Sequence, residues 1–191
     1  MNIERVRAQL GRSSLRAGRL IAVSTEARHG SPIDRTEEWN DLRNRFLAPA
    51  GERPASTARG VHHQALLCSD VEQTINFYQG LLGFPLTELF ENRDYAGSTH
   101  FFFDIGNGNC LAFFDMPGLG LGDYQEVLGG HHHLAISMTP NEWNAARDRL
   151  EAAGVEMAHV DGSSLYFVGP DGERLELISD PLGEMYGSQV L

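Results

Sequence analysis

Between residues 60 and 180 the chain runs in short stretches of apolar or alternating residues, twice interrupted by a longer stretch with helical spacing. Val61 to Cys68 is apolar and too short for a helix, so it reads as a strand. Ser69 or Asp70 then caps a helix through Ile75, Phe77, Tyr78, Leu81 and Leu82, and Gly83 closes it. Three more strands follow, Phe84 to Glu91, His100 to Ile105 and Cys110 to Met116, the last two joined by a Gly106-Asn107-Gly108-Asn109 hairpin turn.

The same order then returns. His131 to Met138 reads as a strand, and Thr139, ahead of Pro140, caps a helix over Asn141 to Ala153 that turns Trp143, Ala146 and Leu150 inward before Gly154 ends it. Val155 to Val160, Leu165 to Val168 and Arg174 to Ser179 supply three strands, with Pro170-Asp171-Gly172 as the final turn. The expected fold class is therefore α+β, a βαβββ unit repeated in tandem at a period of 70 residues from His63 to His133. The first module covers 60–116, a connection 117–129, the second module 130–180 and a tail 181–191. The connection carries Gly118, Gly120 and Gly122, but it follows no strand-to-helix turn, so it is not a phosphate loop.

Residues 1–59 form an N-terminal helical arm outside the repeat. Ile3, Val6 and Leu10 recur at helical spacing among arginines. A second helix, about 34–47, opens on Asp34, Glu37 and Glu38 and aligns Trp39, Leu42 and Phe46 in one stripe, the pattern of a docking face. Charge divides at the same boundary. Residues 1–59 hold eleven arginines against seven acids, residues 60–191 four against nineteen, and lysine is absent. An acidic main body excludes nucleic acid as the expected partner, because phosphate binding needs a basic face. No apolar run approaches the ~18 residues of a membrane span, and Cys68 and Cys110 are too few for a disulfide framework. A cytoplasmic protein with no membrane partner is expected.

Chemistry enters through three side chains. His63 and His133 occupy equivalent points in His-x-Ala-Leu and His-x-Ala-Ile, and Glu176 lies between Leu175 and Leu177 on the closing strand of the second module. A carboxylate among leucines is costly unless a cation meets it. Two imidazoles and one carboxylate, with positions left open to water or substrate, form a 2-His-1-carboxylate metal set. Alternation places His63, Ala65 and Leu67 on one face and His133, Ala135 and Ser137 on the equivalent face. His100 and His159 read as surface residues.

The runs His63-x-Ala-Leu-x-x-Ser-Asp70, Asn76-Phe77-Tyr78-x-x-Leu-Leu-Gly83-Phe84, His133-x-Ala-Ile and Tyr166-Phe-x-x-Pro-Asp-Gly-x-x-Leu-Glu176-Leu together resemble the vicinal oxygen chelate superfamily of glyoxalases, bleomycin-resistance proteins, fosfomycin thiol transferases and extradiol dioxygenases. The resemblance implies two modules whose sheets lie side by side as an open barrel around a metal cleft, the first and last strands of each being neighbours. It also implies His63, His133 and Glu176 as ligands of Fe(II) or Mn(II), with Zn(II) or Ni(II) as other options, and a homodimer. Ala112 stands where glyoxalases carry a second carboxylate, which removes their proton carrier. Tyr166 falls at the spacing of the active-site tyrosine of extradiol dioxygenases, while Asn109 and Asn107 stand near the place of their acid-base histidine. The expected function is a metal-dependent enzyme that binds a small substrate through two vicinal oxygens, leaning to Fe(II) dioxygenase chemistry. Tyr166 is expected to hydrogen-bond the developing anion, and His132 to contact the ligand shell or the substrate. A glyoxalase-like lyase, isomerase or epimerase, a thiol transferase, and a non-catalytic ligand-sequestering protein are the alternatives.

Overall fold

A computed structural model describes residues 33–191, so the run with Ile3, Val6 and Leu10 lies outside the described residues. Each repeat forms one strand, one helix and three strands. The first comprises β1 (His63–Cys68), a helix α2 (Val71–Ile75) that runs on as a wider π-helical turn (Asn76–Leu82), then β2 (Leu86–Glu91), β3 (Thr99–Asp104) and β4 (Cys110–Asp115). The second comprises β5 (Leu134–Ser137), α3 (Pro140–Ala153), β6 (Ala158–Val160), β7 (Ser164–Val168) and β8 (Arg174–Ile178). The helix ends form as their residues dictate. The Asp70 carboxylate accepts from the Gln73 amide and the Thr139 hydroxyl from that of Glu142, while Gly83 (φ 83°) and Gly154 (φ 79°) turn the chain through the left-handed region.

The sheets have matching orders, β1-β4-β3-β2 and β5-β8-β7-β6. The outer pairs β1–β4 and β5–β8 are parallel, so the first and last strands of each module are neighbours as expected. Each sheet turns one face to a single core. Phe101, Phe103, Leu111 and Phe113 enter it from the first sheet, Leu165, Phe167, Leu175 and Leu177 from the second. Tyr78 packs on Phe103 and Phe113, and its neighbour Phe77 reaches Phe167, so the first helix touches both sheets. Each such side chain contributes about 1.5–3 kcal/mol by burial. Trp143 Nε1 donates to the Leu177 carbonyl at 2.9 Å, fixing α3 on the second sheet.

Three details differ from or add to the expectations. The arm helix α1 (Thr36–Phe46) forms, but its stripe docks on nothing among the described residues: Trp39, Leu42 and Phe46 are all exposed. Its pairs Arg35–Glu38 and Arg45–Asp41 are internal, and a connection without regular structure from Arg53 to His62 separates it from β1. Residues 131–133 precede the fifth strand and are not part of it, because the Tyr124 hydroxyl takes the His131 carbonyl that a ladder would use. The tail is a small hairpin of β9 (Glu184–Met185) and β10 (Ser188–Gln189). The two four-stranded module sheets share one core, with no closed barrel among the described residues, in keeping with the expected open arrangement.

Candidate metal centre

Strand β8 presents Leu175 and Leu177 to the core and Glu176 to the opposite face, yet Glu176 is only 4% exposed. Neighbouring strands enclose it. Tyr166 of β7 and Ala135 of β5 stand opposite it in register. Ser164, two residues before Tyr166 and therefore on the same face, donates its hydroxyl to Glu176 Oε1 at 2.5 Å. His133, just ahead of β5, brings Nε2 to 3.1 Å from Glu176 Oε2. The other nitrogen of that ring, Nδ1, lies 2.6 Å from His132 Nδ1, so one of the two carries the shared proton and the His133 ring is held in orientation. The Tyr166 ring meets His133 edge-on at 5.7 Å. Burial pushes the Tyr166 phenol up to about 12, with the Glu176 carboxylate adding to the effect, so the phenol stays a donor at neutral pH.

Among the described residues no arginine pairs with this carboxylate. Arg174, one strand position removed on the same face, pairs with Glu126. A buried carboxylate with a hydroxyl, an imidazole nitrogen and no fixed cation suits a divalent ion. His133 and Glu176, two members of the expected set, are adjacent.

The third expected ligand stands elsewhere. His63 opens β1, exposed and opposite Cys110, with its Nδ1 2.9 Å from His62 Nδ1. The repeat thus carries the same adjacent-histidine contact in both modules. Yet His63 belongs to the first sheet, Glu176 to the second and His133 to the residues just ahead of β5, and both sheets turn their other face to the common core. Among the described residues no group of three or more His, Cys, Asp or Glu side chains is gathered for a metal ion. The structure brings together His132, His133, Tyr166 and Glu176, and leaves His63 apart.

Two residues escape the sequence reading. Ser164 was signalled only by its parity with Tyr166. His100, read as a surface residue, is half-buried on the non-core face of β3, stacked on Phe114 with centroids 3.8 Å apart and 4.3 Å from the Phe102 ring. Alternation about the core residues Phe101 and Phe103 assigns that face. Burial, with a smaller effect from His63, holds the His100 imidazole below its ordinary value. His159 is exposed as expected.

A family model described as the Glyoxalase/Bleomycin resistance protein/Dioxygenase superfamily matches residues 60–177, which include the first module, the second as far as Leu177 and all three candidate ligands. The metallothiol transferase FosB of Shouchella clausii is 27% identical over 132 residues, 65% of this chain and 83% of that protein. MhqE of Bacillus subtilis, which carries the name of a ring-cleaving dioxygenase, is 28% identical over 102 residues; the match spans 51% of this chain but only 33% of that protein. Among solved structures, the fosfomycin resistance protein FosX from Listeria monocytogenes, complexed with Mn(II) and sulfate, superposes with a TM-score of 0.50 at 25% identity, covering 66% of this chain and 96% of that one.

Proposed function

Because the chain belongs to the Glyoxalase/Bleomycin resistance protein/Dioxygenase superfamily, we propose that it is a divalent-metal enzyme in which His133 and Glu176 of one chain and His63 of a second copy hold the ion. The observation that carries this reading is the buried Glu176 carboxylate, with His133 Nε2 at 3.1 Å and, among the described residues, no arginine on it. The positions of the half-sites support a homodimer. His63 and Ala65 on β1 and Ala135 on β5 are exposed on faces turned away from the core. A two-fold pair of chains sets β1 of each against β5 and β8 of the other and so completes two sites at once.

A bound ion would supply a Lewis acid toward two adjacent oxygens of a small substrate and, as iron, a redox centre for dioxygen. The chain's own residues do the rest. Ser164 and His132 hold Glu176 and His133 in orientation. Tyr166, protonated at neutral pH, donates to the substrate oxygen on which charge develops. Ala112, fully buried opposite Ala65, offers no carboxylate, so an isomerisation that needs a proton carrier there is disfavoured. That absence and the similarity to MhqE favour oxygenase chemistry with Fe(II). Thiol transfer with Mn(II) is the second reading, favoured by the FosB match across most of that protein.

The test is anaerobic purification, metal analysis and substrate addition. Stoichiometric Fe(II) with oxygen uptake on adding catechol is expected. Thiol consumption in the presence of fosfomycin and Mn(II), without oxygen uptake, would replace it by the second reading. Protein that takes up no divalent metal as a dimer overturns both.

A further inference from the structure

The arginine nearest in sequence to the buried carboxylate is turned away from it. Arg174 and Glu176 share one strand and one face, about 6.5 Å apart along β8. That separation is within the length of an arginine side chain, and a guanidinium is the side chain best shaped to pair with a carboxylate. Yet Arg174 Nη1 donates to Glu126 Oε1 instead.

The connection between the modules delivers Glu126 to that place. The Tyr124 hydroxyl, two residues earlier, donates to the His131 carbonyl, and Tyr124 Cβ lies against Gly172, where an added Cβ would come within 3.2 Å of it. Immediately after Glu126 the Gly130 amide donates to the Val127 carbonyl at 2.9 Å and folds the chain back. Gly130 has no room for a side chain, since a Cβ there would meet Val127 at 2.9 Å. The run that ends in His133 therefore also seats Glu126 against β8. With side chains 43% and 19% exposed, Glu126 and Arg174 form a partly solvated pair that adds little to stability. Where it holds the guanidinium matters more. Ser164 bonds Glu176 Oε1 and His133 stands at Oε2. A guanidinium arriving on those oxygens would compete with a metal ion for the same negative charge.

We propose that Glu126 is a positioning residue of the metal centre that acts through Arg174: it holds the guanidinium off Glu176 and so keeps the carboxylate available to a divalent ion. This rests on the reading of Glu176 as a metal ligand. The Glu126–Arg174 pair then sets metal affinity, because a released arginine neutralises the half-site and a seated one leaves it open.

The experiment uses the full chain, freed of metal by chelation, with Mn(II) as the probe and its free fraction read by electron paramagnetic resonance. Glu126→Gln is expected to raise the Mn(II) Kd tenfold or more. The metal-free variant should melt no lower than the metal-free parent, since the freed guanidinium meets a buried charge. In an Arg174→Gln background the same Glu126→Gln change should move the Kd less than twofold, because no guanidinium is left to withhold. A merely structural ion pair predicts the reverse, a lower Tm without metal and an unchanged Kd. An unchanged Kd in Glu126→Gln, or a loss of equal size with and without Arg174, overturns the proposal. Arg174→Gln alone, expected to bind Mn(II) at least as tightly as the parent, decides the matter if Glu126→Gln does not fold, and weaker binding by it overturns the proposal as well. A parent protein that binds no Mn(II) overturns the reading of Glu176 as a ligand, and shows as much before any variant is made.

Discussion

His133 Nε2 and Glu176 Oε2 stand 3.1 Å apart where the chain enters β5, 43 residues apart in sequence, and the carboxylate is buried. Parallel pairing of β5 with β8 creates this proximity, since it sets Ala135 opposite Glu176 and leaves His133 at the strand mouth. If the pair holds an ion, metal at a hundredfold excess over its Kd stabilises the protein by about 2.7 kcal/mol. Glu176→Gln and His133→Ala should each abolish that increment and leave the purified protein without metal. Without metal, Glu176→Gln is expected to be as stable as the parent or more so, because the buried charge is gone. Metal analysis and thermal melts with and without added ion check both parts.

A second buried carboxylate behaves differently. The Tyr78 hydroxyl donates to Glu173 Oε1 at 2.7 Å and the Asp171 amide to Oε2 at 2.9 Å, joining the first module's helix to the last hairpin of the second. Burial pushes Glu173 up to about 7, against the opposing pull of the Tyr78 and Asp171 bonds and with the Asp171 carboxylate adding to the rise. A raised carboxyl pKa gives stability that is fully present below the unfolded value and is lost as pH rises through the folded one. Between pH 5 and 8.5 the parent should therefore lose on the order of 3 kcal/mol more than Glu173→Gln, which keeps a group able to bond Tyr78. Urea denaturation at the two pH values reads the difference. Equal slopes for parent and variant would exclude Glu173 as the cause.

Gly169 touches the same carboxylate. A Cβ added there would run into the Glu173 carboxyl group, whose oxygens are already committed to Tyr78 and Asp171. Gly169→Ala must displace a bonded, buried group, and a cost of about 2–4 kcal/mol follows from overpacking plus the lost hydrogen bond. Gly122→Ala meets no atom within 4 Å and, like Gly169→Ala, falls outside the left-handed region, so it is the control for adding a methyl group without a clash. A Gly169 variant no less stable than the Gly122 variant in urea would remove the steric argument.

These residues also mark how far the sequence could be read. Alternation with period two fixed which side chains share a face, so the core row Leu175 and Leu177, the opposed Glu176 and the matching histidines of the two modules were legible. The same parity puts Glu173 on the core row, but its charge argued for the surface, and only the Tyr78 hydroxyl, 95 residues away, reconciles the two. Alternation says nothing of what an outward face meets. It therefore left open whether β1 closes on β5 of its own chain, and it gave no sign that His100 would stack on Phe114. The fifth strand was drawn too long because the Tyr124 hydroxyl, which takes the His131 carbonyl, comes from the connection and not from a strand.

The junction between the modules turns on one arginine. Arg149 of α3 donates Nε to the Leu81 carbonyl at 2.5 Å and an outer nitrogen to that of Leu82 at 3.2 Å. These carbonyls close the first module's helix, where the last turn leaves acceptors without partners inside the helix and Gly83 bends the chain away. A guanidinium there satisfies two acceptors at once and places positive charge at the negative end of the helix dipole. Arg149→Ala leaves both carbonyls short of a donor and should cost about 1.5–3 kcal/mol. Lysine keeps the charge but has no planar fork, so Arg149→Lys should recover less than half of the loss. Denaturant melts of the three proteins at low salt give the ranking, and full recovery by lysine would show that charge alone, without the two-carbonyl geometry, holds the modules together.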